Sequence, residues 1–327
     1  MSIISGSEEK IIKHVTEILS KGKIVALPTE TVYGLAADIT NIDAVEAIYK
    51  VKGRPLSNPL IVHIENEQDL AKYSRDIPNF VNKLINAFWP GPLTFILKKS
   101  SKTPEYVTGG QDTVAIRMPN HSLTLKIIKA LDKPIVAPSA NKFTGISPTR
   151  PEHVIEEFNG TIDVVDGGIC ESGIESTIID ATRKDSFKIL RPGAITLEQI
   201  KLVLKGNCDI VDLTSNKNYE ITFPGNYLKH YSPKKNLISF SNYDELVELI
   251  NKFKNIFIIH YSDFPIPDEN VSCKIGKDPY EFAKDLYHFL RLGDNSQSNI
   301  IVIEEPPHEL NWDAIWDRLN KAKSNKL

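Results

Sequence analysis

The stretch LPTETVYGL, residues 27–35, decides how the rest of the chain is interpreted. A short apolar run meets a proline there and is followed by hydroxyls, a carboxylate, a phenol and a glycine. Pro28 cannot donate to a ladder and Gly34 permits a turn, which predicts a strand that ends in a polar loop. Such loops are where α/β folds bind ligands. A plain strand-to-helix connection, with Thr29 or Thr31 as the helix N-cap, is an equal alternative.

Composition places the chain among ordinary globular proteins. Its 327 residues are 41% hydrophobic and 25% charged, which is enough for two domains. A net charge of −3 gives no overall field for nucleic acid or membranes, so phosphate chemistry would need a local cluster. Cys170, Cys208 and Cys273 are odd in number and lack a C-x-x-C pair, so we expect neither a disulfide framework nor a cysteine zinc site. Without a signal-like start or a long apolar run, we expect a cytosolic protein without membrane partners.

Apolar periodicity in the first two thirds of the chain predicts many strands, some close together and some separated by helices. This spacing indicates an α/β fold with a twisted mixed sheet wrapped by helices, because a clean parallel sheet would alternate strand and helix. The predicted helices are 8–20, 44–51, one between 64 and 78, 78–88, 121–131 and 197–204, and the predicted strands are 24–27, 60–64, 93–97, 113–118, 134–137, 162–165, 176–179 and 187–190.

The sequence of the last third predicts a linker followed by a smaller domain. Periodicity is lost from 205 to 235, although FPGNYLKHYSP within it is not typical linker sequence. Alternating patterns then predict a small Rossmann-like α/β domain, which divides the chain into 1–205, a linker at 206–235, and 236–327. Its predicted strands are 237–240, 256–260 and 300–303, and its predicted helices are 243–253, 279–292 and 312–322.

Neither common phosphate motif, G-x-x-x-x-G-K-[ST] or G-x-G-x-x-G, is present, so side chains would have to hold a nucleotide. Arginine offers a planar fork and lysine a mobile charge for phosphate oxygens. The turn KVKGRP taken alone is better explained as solvated, since surface lysine and arginine usually are. The candidates are Lys50, Lys52 and Arg54 in KVKGRP, Ser139 and Asn141 in PSAN, and Arg191 in LRPG.

Three further positions combine polarity with apolar surroundings. Arg117 ends the apolar run TVAIR, and a buried guanidinium implies a carboxylate from the protein or from a ligand. His63 in LIVHI is either a satisfied core histidine, which we favour, or a donor that faces a ligand. In SGIESTIID, Ser176 or Thr177 could bind a polar substrate or only cap the strand.

Taken in order, these motifs closely resemble the threonylcarbamoyl-AMP synthase (YrdC-like) family. PGNYLKHYSPK resembles the linker of the long form of that family, which carries a second domain. WDRLNKA near the end matches a family helix, whereas PPHELNW replaces a Gly-rich turn. The matching motifs, from about residue 20 to residue 205, are LPTETVYGL, KGRPLSNPLIVHI, WPGPLTFIL, TVAIRMP, APSAN, SPT, VDGG, ESTIID and LRPG.

The resemblance implies a nucleotidyltransferase that combines L-threonine, bicarbonate and ATP, with Mg²⁺, into L-threonylcarbamoyl-adenylate and pyrophosphate. The product would pass to a tRNA threonylcarbamoyl transferase complex. An RNA-binding protein that holds tRNA on a concave basic face is the alternative, which the neutral charge of the first region disfavours. A carbamoyltransferase is a third reading, but those relatives carry zinc-binding cysteine pairs, which this chain lacks.

The resemblance also implies residue roles, without a protein-bound metal. Tyr231 would belong to a lid, because water destroys carbamates and acyl-adenylates. Glu30 and Tyr33 receive no role. Lys52, Arg54, Ser139 and Asn141 form the K-x-R and S-x-N pairs and are the expected catalytic groups. Threonine would be held by Thr31, His63, Arg117, Ala137 and Ser176, and ATP by Lys50, Lys52, Arg54, Asn58, Thr113, Ser139, Asn141, Ser147, Arg191 and Tyr231.

Overall fold

The structure, a computed structural model, describes residues 3–206, 209–210, 221–225, 227, 229–267 and 270–324. Cys208 and much of the predicted linker 206–235 therefore lie outside the described residues. The described cysteines, Cys170 and Cys273, are free thiols.

One mixed sheet of twelve described strands forms the first domain. Of its eleven described strand pairings, six are antiparallel and five are parallel. The strands are β1 (Ile3–Ile4), β2 (Val25–Leu27), β3 (Gly34–Asp38), β4 (Ile61–His63), β5 (Ser74–Arg75), β6 (Leu93–Lys99), β7 (Thr113–Arg117), β8 (Ile135–Val136), β9 (Val164–Val165), β10 (Thr177–Asp180), β11 (Ser186–Arg191) and β12 (Asp209–Ile210). Their order is β1-β9-β2-β3-β8-β4-β7-β6-β10-β11-β12, and β5 pairs with β6. The predicted mixed sheet is confirmed.

Helices cover this sheet with apolar faces. They are α1 (Glu8–Ser20), α2 (Ile42–Lys52), α3 (Gln68–Tyr73), α4 (Asn79–Phe88), α5 (Glu105–Thr108), α6 (Ser122–Leu131), α7 (Pro151–Phe158) and α8 (Leu197–Leu204). Val15 and Leu19 of α1 and Ile127 of α6 share one core cluster with β2 residues. No helix in the described ranges has the length and apolar character needed to cross a bilayer.

The second domain contains a parallel four-stranded sheet. Its strands are β13 (Asn236–Phe240), β14 (Ile256–His260), β15 (Val271–Lys274) and β16 (Ile300–Glu304), in the spatial order β13-β16-β14-β15. Its helices are α9 (Tyr243–Lys252), α10 (Pro279–Asn295) and α11 (Asp313–Ala322), the last preceded by a 3₁₀ turn at Leu310–Trp312. The side chains of Asn242 and Asp278 cap α9 and α10. The predicted Rossmann-like domain is confirmed.

The opening loop leads into a strand, so the strand-to-helix alternative is wrong. Thr29 Oγ1 accepts hydrogen bonds from the backbone N–H groups of Thr31 and Val32, each at 3.2 Å, and this closes a tight turn. The chain then enters β3, which pairs with β2 and β8. GLAAD has small residues with weak strand propensity, so its pairing partners and not its own sequence decide its conformation. Helix α7 and strand β15 were likewise not predicted.

The two domains meet at Gly173, where the loop before β10 presses against α10. A Cβ at Gly173 would lie 2.3 Å from Lys284 Cα and 2.4 Å from the Ala283 carbonyl oxygen, and its φ is +69°. Ile174 joins the core cluster that contains Phe282 and Leu286 of α10. The domains are therefore packed together through backbone as well as side chains.

Replacing Gly173 by alanine should lower the thermal midpoint more than Gly168→Ala does. Both glycines have left-handed φ, which costs a side chain roughly 1–2 kcal/mol. A Cβ at Gly168 meets nothing within 4 Å, whereas one at Gly173 adds an overlap that typically costs about 1–3 kcal/mol. Equal midpoints for the two variants would contradict the close approach of the domains.

Candidate active site

A pocket of about 560 Å³, including its open mouth, lies where the polar loops of the first domain meet the described end of the linker. The loop 28–33, the carboxyl ends of β4 and β7, PSAN and the segment before β10 form its walls. Its lining residues are Thr29, Thr31, Val32, Gly34, Arg54, Ile61, His63, Arg117, Ala137, Pro138, Ser139, Glu175, Ser176, Arg191, Pro224, Gly225, His230 and Tyr231.

Arg117, at the end of β7, has a carboxylate partner from the protein itself. Its Nη2 lies 2.5 Å from Glu30 Oε2, and both side chains are 4% exposed. Nη1 donates to Thr31 Oγ1 at 2.8 Å, and Nε donates to the Gly91 carbonyl at 3.2 Å. A guanidinium has more N–H donors than these contacts use, so Arg117 can also bind a ligand carboxylate. The protein-partner and ligand-partner readings are thus compatible.

His63 stands beside Arg117 in the register of β4 against β7. Its Nδ1 donates to the Ile61 carbonyl at 3.1 Å. Burial, together with the charge of Arg117, lowers the pKa of His63 to about 3. His63 is therefore neutral, and its Nε2 is a hydrogen-bond acceptor at the pocket. It is both a core histidine and a residue that faces the pocket.

Lys52 and Arg54 are buried, so the solvated-turn interpretation of KVKGRP is wrong for them and holds only for exposed Lys50. Gly53 ends α2 with φ 64°, a left-handed cap that reverses the chain and turns Lys52 inward. Lys52 Nζ donates to the carbonyl oxygens of Ser139 at 2.5 Å and Asn141 at 2.6 Å. Burial lowers the pKa of Lys52 well below its usual value.

Arg54 is held by acceptors from its own loop. Its Nη2 donates to Asn58 Oδ1 and to the Pro59 carbonyl, each at 2.7 Å. Burial lowers its pKa to about 10, so it remains charged at neutral pH. These bonds fix a cation at the pocket wall without a carboxylate.

Arg191 connects the start of β10 to the linker. Its Nε and Nη2 donate to the Ser176 carbonyl at 3.1 and 2.9 Å, and Nη1 donates to the Pro224 carbonyl at 3.2 Å. Ser176 Oγ lies 2.7 Å from Thr94 Oγ1. The serine and the arginine are thereby held as one unit facing the pocket.

Glu175 brings a second carboxylate to the pocket and contacts both domains. Ser147 Oγ donates to it at 2.5 Å, Tyr287 OH at 2.9 Å and Arg318 Nε at 2.9 Å. Burial acts to raise the pKa of Glu175, but the charges of Arg318 and Arg191 hold that pKa at about 2. The carboxylate is therefore ionised.

Tyr231, near the end of the linker, lines the pocket. It is fully buried, its φ is +60°, and its hydroxyl has no hydrogen-bond partner among the described groups. The guanidinium of Arg318 lies 5.0 Å from its ring centroid, and the ring of Tyr287 stacks on it at 5.9 Å. Tyr231 is thus sandwiched between the pocket and the second domain.

The structure sorts the sequence-predicted residues into three groups. Lys50 is exposed on α2, and Thr113 lies at the opposite end of β7 from Arg117, about 13 Å along the strand, so neither lines the pocket. Four more lie directly behind the wall and bond to groups at or beside it: Lys52, Asn58, Asn141 and Ser147. The pocket brings together Thr31, Arg54, His63, Arg117, Ala137, Ser139, Ser176, Arg191 and Tyr231.

Sequence reasoning missed both carboxylates of the site. Glu30 stood in the opening loop without a role, and Glu175 stood beside Ser176 in a motif from which only the hydroxyls were chosen. Their proximity to buried apolar strands was the available signal, since a buried carboxylate implies a cationic partner. In the described residues, no three histidine, cysteine, aspartate or glutamate side chains are grouped so as to hold a metal ion.

Comparison with known proteins gives consistent matches over the whole chain. A family model described as telomere recombination (Sua5/YciO/YrdC) matches residues 17–193, and one described as the C-terminal domain of threonylcarbamoyl-AMP synthase matches residues 195–324. The threonylcarbamoyl-AMP synthase of Pyrococcus abyssi is 37% identical, covering 100% of this chain and 99% of that protein. That of Bacillus subtilis is 37% identical, covering 97% and 94%. The crystal structure of P. abyssi Sua5 complexed with L-threonine superposes with a TM-score of 0.88 at 38% identity, covering 98% and 96%.

Acid should destabilise the fold through its buried histidines. Burial lowers the pKa of His63, His153 and His230 to about 3, whereas each titrates near 6.5 when unfolded. Unfolding therefore takes up protons between those values, and stability falls as pH drops from 6.5 towards 3. Each histidine should cost about 2 kcal/mol between pH 7 and pH 5.

Urea unfolding at both pH values tests this expectation. His153→Gln should lose less stability than the wild type on acidification, while His14→Gln, at an exposed position, should lose as much as the wild type. If the His153 variant shows the same pH dependence as the wild type, the histidine is not held neutral by the fold.

Proposed function

The chain belongs to the threonylcarbamoyl-AMP synthase family in its two-domain form, and on that premise we propose that it joins L-threonine, bicarbonate and ATP into L-threonylcarbamoyl-adenylate and pyrophosphate. The observation that carries the proposal is one pocket that offers a carboxylate-binding guanidinium together with further cations. Arg117 lines it with Arg54 and Arg191, and Lys52 lies behind its wall.

L-threonine would occupy the end formed by β4, β7 and the opening loop. Its carboxylate would take the free N–H donors of Arg117, whose position Glu30 and Thr31 already fix. The Nε2 of neutral His63 and the hydroxyl of Ser176 offer an acceptor and a donor for the ammonium and the side-chain hydroxyl. Backbone at Ala137 completes this end of the pocket.

ATP would place its triphosphate against Arg54 and Arg191, which line the pocket together with Ser139. Lys52 and Asn141 hold the PSAN segment, because Lys52 Nζ bonds to the carbonyls of Ser139 and Asn141. The geometry thus favours phosphate binding by side chains, without a glycine-rich loop.

The reaction then needs alignment and electrostatic stabilisation. The ammonium group of threonine first loses a proton to solvent, and the free amine then attacks the carbon of bicarbonate, which gives a carbamate and releases water. A carbamate oxygen attacks the α-phosphorus of ATP, and pyrophosphate leaves with the electron pair of the broken P–O bond. Negative charge builds on phosphoryl oxygens, which Arg54, Arg191 and Lys52 stabilise. Orientation of the reactants can supply roughly 7–11 kcal/mol of the barrier.

Mg²⁺ would arrive on the triphosphate, not at a protein-built centre. The two carboxylates of the site, Glu30 and Glu175, are both engaged by arginines.

The linker 206–235, between domains 1–205 and 236–327, would act as the lid. Tyr231 and Gly225 from its described part line the pocket, and Arg191 bonds to Pro224 beside them. Closure excludes water, which would hydrolyse the carbamate and the adenylate. The product would pass to a tRNA threonylcarbamoyl transferase complex in the cytoplasm. A direct RNA-binding role is the second candidate, but a pocket lined by converging polar and charged side chains suits small reactants.

Pyrophosphate release from protein mixed with ATP, L-threonine and bicarbonate tests the activity. Arg117→Ala should raise the KM for threonine by roughly ten- to a hundredfold, as expected for losing a charged hydrogen bond, and change the KM for ATP little. Arg117→Lys is the control for misfolding, because it keeps a positive charge opposite the buried carboxylate of Glu30. Arg75→Ala removes an exposed arginine paired with Asp76 and should change neither constant.

Absence of threonine-dependent pyrophosphate release in the wild type would overturn the proposed activity. Tight tRNA binding by such an inactive protein would then favour the RNA-binding alternative. Equal increases in the KM values for threonine and ATP in the Arg117 variants would contradict only the proposed role of Arg117 in binding the threonine carboxylate.

A further inference from the structure

Arg318 belongs to the second domain but directs its bonds into the first. It lies on α11, and its side chain is 1% exposed. Nε donates to Glu175 Oε2 at 2.9 Å, and Nη1 donates to the Pro192 carbonyl at 2.9 Å and to Asp317 at 2.7 Å. Its guanidinium also packs on the ring of Tyr231. One side chain thus joins the second domain, the linker and the pocket wall.

Glu175 creates an electrostatic problem that this arginine solves. The carboxylate lines a pocket whose proposed ligand is a triphosphate, and it stays ionised. Like charges a few ångströms apart in a partly desolvated site repel by several kcal/mol at an effective dielectric constant of about 20. Arg318 and Arg191 provide the compensating charge, and of these only Arg318 donates a hydrogen bond to the carboxylate.

The carboxylate of Glu175 also orients Ser147, one of the residues expected to bind ATP. Ser147 Oγ donates to Glu175 Oε1, while Tyr287 of α10 and Arg318 donate to Oε2. The orientation of Ser147 therefore depends on a carboxylate that two side chains of the second domain hold. Tyr287 and Arg318 also contact Tyr231 from outside the pocket.

The ligand-binding edge of the second domain itself is filled by its own carboxylate. Rossmann-like folds bind ligands beyond the carboxyl ends of their strands. There, Glu304 accepts hydrogen bonds from the backbone N–H groups of Tyr261 at 2.7 Å and Ser262 at 2.9 Å, and from Ser262 Oγ at 2.5 Å. These donors, which an anionic ligand at this position could use, are already bonded to Glu304.

We propose that Arg318 is a positioning residue for the adenylation reaction: by neutralising and orienting Glu175, and by covering Tyr231, it makes the closed pocket able to hold the triphosphate. This inference rests on the proposed function. It gives the second domain a specific task, which is to complete the electrostatics of a site in the first domain.

A double-variant experiment separates charge compensation from mere clamping of the domains. Arg318→Met should weaken ATP binding, measured by calorimetry, by roughly tenfold or more and leave threonine affinity within about threefold, because the uncompensated Glu175 repels phosphate. Arg318→Met should also lower the thermal midpoint, because it removes bonds between the domains. The double variant Arg318→Met/Glu175→Gln should recover most of the ATP affinity but not the thermal midpoint. Arg318→Lys should keep much of the affinity because it retains the charge.

Arg291→Met is the matched control. Arg291 of α10 also makes an ion pair between the domains, 2.9 Å from Glu157 of α7, but it does not line the pocket. Arg291→Met should lower the thermal midpoint about as much as Arg318→Met does, but without a selective loss of ATP affinity. Equal ATP losses for Arg291→Met and Arg318→Met, or no recovery with Glu175→Gln, would show that Arg318 only clamps the domains and would overturn the inference.

The failure of the inference and that of the proposed function give different results. A wild type that binds ATP but releases no pyrophosphate contradicts the function, while the binding measurements still decide the role of Arg318. A wild type that turns over normally, with an Arg318→Met variant that binds ATP as tightly, contradicts only the inference.

Discussion

Four cations, Lys52, Arg54, Arg117 and Arg191, are buried around one pocket, and holding them there away from water is the constraint on which the site depends. Most of their hydrogen bonds go to backbone carbonyl oxygens. Carbonyls satisfy N–H donors but carry no net charge, so Lys52, Arg54 and Arg191 donate no hydrogen bond to a carboxylate of the described residues, whereas Arg117 is paired with Glu30. An arrangement of this kind is costly for the empty protein and favourable for a polyanionic ligand.

The strand ends explain how the fold tolerates this cost. The Gly53 cap turns Lys52 inward, the loop 28–33 carries Glu30 to Arg117, and β10 begins at the Ser176 carbonyl that receives Arg191. Each cation is thus fixed by rigid elements that converge on one edge of the mixed sheet. The second domain adds Arg318, and it does so where a carboxylate of the first domain would otherwise oppose a phosphate.

The sequence predicted those elements whose pattern of apolar residues is local, and it failed where distant parts of the chain decide the structure. Helix α1 and strand β14 begin and end at the expected residues, because their periodicity is strong and their ends carry clear stop signals. Strand β3 was missed, since GLAAD becomes a strand only through pairing with β2 and β8. The burial of Lys52 and Arg54 was judged wrongly from a turn that looks solvated. The pairs Glu30 with Arg117 and Glu175 with Arg318 join distant parts of the chain, and no spacing rule connects them.

Lys52 is buried with backbone carbonyls as its acceptors, so its charged form is costly until ATP brings phosphates beside it, and proton uptake on ATP binding tests this most directly. Burial lowers the pKa of Lys52 in the free protein, and phosphates beside it should raise that pKa again. ATP can be titrated calorimetrically at pH 8 in buffers of unequal ionisation enthalpy, with Lys52→Arg as the comparison, because arginine stays charged. We expect the wild type to take up more protons on ATP binding than Lys52→Arg does. Equal uptake by the two proteins would contradict it.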